Sequence, residues 1–92
     1  MRYSADWMTL ADERILERLS QVETDTPKGM AESGDVRYSR PYIGQRCRKL
    51  ADYGLTQPLG NGVYRITSTG KQYLDGEIDA AELDPNQDTN RD

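Results

Sequence analysis

Residues 39–55, SRPYIGQRCRKLADYGL, contain the start, the body and the end of one predicted helix. Ser39 is a favourable N-cap residue, and Pro41 is tolerated in a first helical turn because its missing N–H would have no partner there. Gly54 readily adopts the left-handed backbone that commonly follows the last turn of a helix. The stretch therefore predicts a helix over residues 40–53 that ends at Gly54.

The side chains of this helix divide into a thin apolar face and a wide polar surface dominated by positive charge. At about 100° per residue, one face carries Ile43, Cys47 and Leu50. Residues 36–50 contain five basic residues and no acidic one; taking five from the 12 Lys and Arg of the chain leaves seven against 16 Asp and Glu. The five are Arg37, Arg40, Arg46, Arg48 and Lys49. The basic side chains are expected to face solvent, and their local excess favours a negatively charged partner.

The composition limits the class of protein and the kinds of site. The chain has 92 residues, which is enough for one domain, and with 35% apolar residues and no Phe its core is lean, which favours burial against a partner chain. One Cys and no His exclude an internal disulfide, the common zinc sites and His-based acid–base chemistry. The absence of a long apolar run and of a signal-peptide pattern predicts a soluble, cytoplasmic protein with no membrane contact, and no cofactor is expected.

The acidic balance of the whole chain requires a physical explanation if the partner is nucleic acid. The sequence pI is about 4.8, and duplex DNA repels distant carboxylates while it attracts a basic patch. At molar salt the Debye length falls to about 3 Å, which screens those distant carboxylates. The many acidic residues and the low apolar content fit such a setting. The alternative is an ordinary acidic protein that does not bind nucleic acid.

An amphipathic helix is predicted before the basic one. Thr9 is its expected N-cap, and Asp12 three residues later gives a weak form of the capping box. Its predicted apolar face consists of Met8, Ala11, Ile15, Leu19 and Val22. A short helix near residues 28–33 should follow, and residues 36–38 are expected to form an extended link.

The second half of the chain predicts a hairpin and a last helix. Residues 55–59 and 63–67 flank Gly60-Asn61-Gly62, whose residues tolerate the positive φ of tight hairpin turns. Thr67 is the expected N-cap of the last helix. Tyr73 and Leu74 are the expected core residues of that helix. The acidic tail is expected to begin as a helix over 78–83 and to be disordered over 84–92.

The order of these elements resembles that of a winged helix-turn-helix. The stretch YIGQRCRKLADYGLTQPLGNGVYRITSTGKQYL is similar to the MarR-like signature, whose pattern positions are occupied here by Ile43, Leu50, Gly54, Leu55, Tyr64, Ile66, Thr67 and Gly70. With ADWMTLADERILE in front and DGEIDAAEL behind, about residues 5–83 resemble the haloarchaeal phage phiH repressor-like family. Residues 27–38 depart from the compact pattern, because they form a longer and glycine-rich segment.

The resemblance implies a mainly α-helical fold with a small β-hairpin: a three-helix bundle with a wing and a C-terminal helix. Residues 1–8 would form an arm, residues 9–75 the winged helix domain, and residues 76–92 an acidic, partly disordered segment. The family implies a small transcriptional regulator, a repressor, that binds double-stranded DNA in a cytoplasm at molar salt. Two other functions stay open: a winged helix used for protein contacts alone, and, remotely, an enzyme built on carboxylates, tyrosines and one thiol.

In a helix-turn-helix the second helix of the motif enters the major groove, which here is helix 40–53. Arg40 could fork onto guanine, Gln45 could pair with adenine, and Gly44 could let a phosphate approach the backbone. The predicted DNA-contacting residues are Ser39, Arg40, Tyr42, Gly44, Gln45, Arg46, Arg48, Lys49, Asn61 and Arg65. The last two belong to the wing and would reach an adjacent groove or phosphate.

These assignments have structural alternatives. The arginines could form a solvated face paired with nearby carboxylates, and Tyr42, like Tyr38, could be a half-buried structural residue. Asn61 is expected to be a turn residue more than a DNA contact. For Arg65 a DNA contact and a structural role are equally expected. Cys47 is interpreted as a buried small hydrophobe, because it lies at core spacing.

A symmetric homodimer is the expected assembly, because such readers commonly place two recognition helices about 34 Å apart on DNA. Tyr3, Trp7 and Met8 are the candidate dimer contacts. The alternative is that Trp7 and its neighbours cover their own core. The first and last helices are the expected dimer seam.

Overall fold

The computed structural model describes residues 1–85, which form four α-helices, a three-stranded antiparallel sheet and one turn of 3₁₀-helix. The elements are α1 (Leu10–Val22), β1 (Thr24–Asp25), α2 (Pro27–Ser33), α3 (Arg40–Asp52), β2 (Thr56–Gly60), β3 (Val63–Ile66), α4 (Ser68–Leu74) and the 3₁₀-helix (Ala80–Glu82). The predicted mainly α-helical fold with a β-hairpin is confirmed. Over this described stretch, no helix combines the length and the hydropathy needed to span a membrane.

Capping residues determine where the helices begin and end. The Ser39 hydroxyl accepts the N–H of Tyr42 at 3.3 Å at the start of α3, and the Thr67 hydroxyl accepts the N–H of Gly70 at 3.0 Å at the start of α4. Gly54, with φ of 79°, follows the end of α3. These local signals were read correctly from the sequence, since each depends on residues within one turn of the helix end.

The core lies between the three N-terminal helices, the sheet and α4. Its buried apolar side chains are Ile15, Leu16, Leu19, Met30, Val36, Ile43, Cys47, Leu50, Leu55, Tyr64, Ile66, Tyr73 and Ala80. The predicted apolar face of α3 is confirmed, because all three of its side chains are fully buried. Val22 was predicted on the core face of α1 but is 37% exposed, because α1 ends there and the chain turns at Glu23 into β1.

The hairpin of β2 and β3 forms the predicted wing, and β1 adds a strand that the sequence did not reveal. Asn61 and Gly62, with φ of 56° and 78°, form its turn, while Gly60 belongs to β2. The strand order is β1-β3-β2. β1 has two residues, Thr24 and Asp25, which is too short to give an alternating pattern. It connects the end of α1 to the base of the wing.

The two ends of the described chain lie side by side. Tyr3 forms a parallel bridge with Asp79, and its carbonyl oxygen accepts the N–H of Ala80 at 2.9 Å. The predicted helix over 78–83 is confirmed only at residues 80–82, which form the 3₁₀-helix, while Asp79 forms the bridge. Ala80 is fully buried. The disorder predicted for residues 84–92 falls mostly outside the described residues.

Candidate nucleic-acid interface

The outer surface of α3 presents an exposed polar and cationic face. Arg40, Gln45 and Arg48 are exposed on this helix. Among residues 1–85, the ion pairs involve Arg2, Arg14, Arg18 and Arg46, and neither Arg40 nor Arg48 takes part in one. We refer to Arg40, Gln45 and Arg48 as the α3 surface. Its guanidinium groups are available to bind an anion.

Arg46 does not belong to this surface, and the expectation that it faces solvent is wrong. Its Nε donates to Oδ1 of Asp12 at 2.8 Å, and its Nη2 donates to Oδ2 of Asp12 at 2.7 Å and to the Trp7 carbonyl oxygen at 3.0 Å. The hydrogen bond to Asp12 raises the pKa of Arg46, although burial opposes that shift. A carboxylate that is fully buried needs a charged partner, and residue 46 is the cation that faces it.

Gly44 also differs from its prediction. It is buried, and a Cβ at this position would lie 3.6 Å from Nη1 of Arg48 and 3.8 Å from Cγ of Pro27. The residue therefore faces the start of α2 rather than an incoming phosphate. A phosphate cannot approach a backbone that another helix already covers.

The remaining predicted residues of α3 lie at the edges of its exposed surface. Tyr42 is half-buried, and its ring is tilted 45° to that of Tyr38 with the centroids 5.5 Å apart. The Lys49 ammonium lies 5.6 Å from the centroid of the Tyr53 ring, within range of a cation–π contact. Ser39 is exposed and caps the helix. The half-buried positions of Tyr38 and Tyr42 match the structural alternative given for these two tyrosines.

The wing carries two of the predicted contact residues on its outside. Asn61 is the first residue of the turn and has the positive φ expected of it. Arg65 is exposed on β3, and its Nε donates to Oε1 of Gln57 on β2 at 2.7 Å. This cross-strand hydrogen bond holds the guanidinium against the face of the hairpin and leaves its terminal nitrogens available.

Of the candidate dimer residues, Trp7 packs within its own chain. Its ring stacks on that of Tyr53 with the centroids 4.0 Å apart and the planes 18° apart. Trp7 and Met8 are half-buried against the core, whereas Tyr3 is exposed. Trp7 therefore lies where the alternative prediction placed it, over the core of its own chain.

Cys47 is a buried structural residue. Burial, and secondarily the charge of Asp12, raises the pKa of its thiol to about 12, so the nucleophilic thiolate is scarce at neutral pH. Over residues 1–85, no group of three His, Cys, Asp or Glu side chains is placed to hold a metal ion.

Two residues important to this region were missing from the predicted set. Asp12 was assigned only to a helix cap, and Tyr53 only to a helix end. A signal for Asp12 was present, because it lies one turn before Ile15 and Leu16 on the buried face of α1. A carboxylate on a core face predicts a buried partner, although the sequence does not say which arginine supplies it.

A bundle of three helices followed by a two-stranded wing, with a basic third helix exposed, defines a winged helix-turn-helix protein. The chain belongs to the winged helix-turn-helix phage repressor family, whose model matches residues 1–86. It is 34% identical over 92 residues to the repressor protein of Halobacterium phage phiH, with 91% of this chain and 98% of that protein covered.

A solved structure gives the same result. The crystal structure of the PhiH1 repressor-like protein from Haloarcula marismortui superposes with a TM-score of 0.88 at 44% identity, covering 92% of this chain and 97% of that one. The family resemblance inferred from the sequence is therefore confirmed.

Proposed function

We propose that this protein is a repressor that binds double-stranded DNA sequence-specifically, with α3 in the major groove and the wing on flanking DNA. The α3 surface carries the proposal, because two arginines that form no ion pair within residues 1–85 flank a glutamine on the motif's second helix. In winged helix-turn-helix proteins this helix enters the groove. The membership in a family of phage repressors supports repression, rather than activation, as the effect on transcription.

The chemistry of the three side chains fits base and phosphate recognition. Arg40 and Arg48 are eight residues apart, about 12 Å along a helix at a rise of about 1.5 Å per residue. That length corresponds to between three and four base pairs at about 3.4 Å each. Arg40, at the start of the helix, can fork onto O6 and N7 of guanine, and Gln45 can pair with adenine. Arg48 and the wing residue Arg65 are suited to phosphate oxygens.

The acidic remainder of the chain sets the conditions under which it binds. With 12 basic and 16 acidic residues the formal net charge is −4, and the haloarchaeal names of both relatives support a molar-salt setting. At molar salt the counterion-release contribution to affinity is nearly exhausted. Specificity then depends on base contacts, water and DNA shape. DNA affinity is expected to fall only weakly, or to rise, between moderate and molar KCl.

A homodimer completes the proposal. Two copies would place their α3 helices about 34 Å apart, one turn of DNA. Exposed apolar side chains remain on the proposed seam, with Leu10 57% exposed and Tyr3 49% exposed. Trp7 contributes less to such a seam, because its ring is already stacked within its own chain.

The decisive experiment is selection from a pool of random duplexes in molar KCl, followed by sequencing of the retained DNA. Enrichment of one short sequence, palindromic if the protein acts as a dimer, is expected. The variant with Arg40→Gln and Arg48→Gln should then bind the selected duplex at least about tenfold more weakly, since each good bidentate base contact contributes about 1–3 kcal/mol of discrimination.

The matched control is Arg14→Gln, which removes an exposed arginine from α1 and should leave DNA affinity unchanged. Arg46 is not replaced in this double variant, because its loss also leaves the buried Asp12 carboxylate without its ion-pair partner. If the double variant bound the selected duplex as well as the unmodified protein, α3 would not be the reader. Failure to enrich any sequence would favour the use of this winged helix for protein contacts.

A further inference from the structure

Two contacts attach α3 to the residues that precede and begin α1. Arg46 is bonded to the carboxylate of Asp12 and to the carbonyl oxygen of Trp7, and the Trp7 ring stacks on Tyr53 at the end of α3. We refer to Trp7, Asp12, Arg46 and Tyr53 as the anchor cluster. The same Asp12 carboxylate also accepts the N–H of Thr9 at 2.9 Å, so the cluster is tied to the first turn of α1.

The geometry of the anchor cluster restrains the direction of α3. Arg46 and Tyr53 are seven residues apart, which places them on the same side of the helix about two turns apart. Two contacts at different heights add to the buried apolar face of α3 in restraining the tilt of the helix. Within residues 1–85, Arg46–Asp12 is the one ion pair that involves α3. Its two parallel bonds to one carboxylate form a rigid fork.

We infer that Arg46 is a positioning residue, which sets the orientation of the α3 surface through Asp12 and Trp7 and does not touch DNA. This inference rests on the proposed DNA-binding function. An arginine that contacts phosphate contributes equally to every duplex, whereas a residue that aims the α3 surface contributes to the preference for the selected one. The two roles therefore give different results on matched and scrambled DNA.

The test compares Arg46→Gln with the unmodified protein and with Arg40→Gln, an exposed arginine of the same helix. Affinity for the selected duplex and for a scrambled duplex is measured over a series of KCl concentrations, with the folded fraction checked by circular dichroism. Arg46→Gln should leave the slope of log affinity against log salt unchanged. It should lower the preference for the selected duplex about tenfold, as loss of one base contact would.

A second variant separates positioning from loss of folding. Combining Asp12→Asn with Arg46→Gln replaces the ion pair by two amides, which can still bond to each other and to the Thr9 N–H. This double variant should recover most of the preference for the selected duplex. Recovery is not expected of an arginine that contacts DNA, because the double variant still lacks the guanidinium.

Three results would overturn the inference. In the first, Arg46→Gln changes the salt slope by about one, the signature of a lost phosphate contact. In the second, affinities for both duplexes fall only in proportion to the folded fraction. In the third, the double variant recovers none of the preference. If the unmodified protein binds no duplex at all, the proposed function fails and this inference fails with it. In the other three results the unmodified protein binds its selected duplex, so the inference fails while the proposed function stands.

Discussion

Replacing Arg46 with methionine is expected to destabilise the fold more than replacing Asp12 with asparagine. The Asp12 side chain is 0% exposed and that of Arg46 is 16% exposed. Arg46→Met keeps an apolar stem but leaves the buried carboxylate with only the Thr9 N–H as its hydrogen-bond donor. Asp12→Asn keeps an acceptor for that N–H, and the partly exposed guanidinium can turn toward water. The asymmetry follows from which partner would be left charged and buried.

The expected magnitudes are far apart. Removing one partner of a buried ion pair costs about 3–5 kcal/mol, whereas a weakened hydrogen bond costs about 1–2 kcal/mol. At about 4–8 °C for each kcal/mol in a domain of this size, Arg46→Met should lower Tm by roughly 12–40 °C. The exposed pair Arg14–Glu17 should contribute at most about 1 kcal/mol.

The assay is urea unfolding followed by circular dichroism, in low and in molar KCl, with Arg14→Gln as the control. Salt should remove the small effect of Arg14→Gln, because exposed pairs are screened, and should leave most of the Arg46→Met effect. If Arg46→Met cost less than about 1 kcal/mol, or less than Asp12→Asn, the carboxylate would not be buried and unpaired in the variant. The reasoning about the anchor cluster would then be wrong.

Three further outcomes are expected from single sites. Gly70→Ala should destabilise the fold by about 1–2 kcal/mol in thermal unfolding, because the added Cβ would clash with the Leu55 carbonyl oxygen and lie 2.6 Å from Cγ1 of Ile66. The control is Gln72→Ala at an exposed position of the same helix. Equal stabilities of the two variants would contradict the close packing at Gly70. Partial burial tends to raise the pKa of Glu17, but hydrogen bonds from arginine side chains outweigh it and the net pKa is lowered. Its stabilising contribution is therefore complete above the ordinary value of 4.5 and lost as the pH falls through the lower folded pKa, so Glu17→Gln should flatten the loss of stability in acid; an unchanged acid profile would count against it. The Cys47 thiol, whose pKa burial raises to about 12, should react with a thiol reagent at neutral pH only after unfolding in urea, and rapid labelling of the folded protein would show that it is accessible.

The elements of the fold were predictable where their signals are local. Ser39 and Thr67 begin helices, and Gly54 ends one, through bonds and backbone angles set by residues within a single turn. The turn at Asn61 and Gly62 likewise depends on their own tolerance of positive φ. The periodic apolar face of α3 identified its buried side chains because the pattern is carried by the helix itself.

The candidate site was predictable only in part. Gln45 and Arg48 are exposed as the periodicity of α3 requires, whereas Arg40 is exposed on a flank of the helix, at its first residue. Gly44 and Arg46 lie on the flanks of that helix, where periodicity leaves burial undecided. Whether a flank is covered depends on which element packs beside it, and the partners here come from α2 and α1.

The sequence by itself determined the succession of helices and wing, the buried face of α3 and the local excess of positive charge, because each is encoded by neighbours along the chain. The tertiary structure alone decided which arginine of that excess forms an ion pair within residues 1–85. Arg46 and Asp12 are 34 residues apart, and no local pattern pairs them. Their bond exists because folding buries a carboxylate at the start of α1, and a buried charge is stable only beside an opposite one.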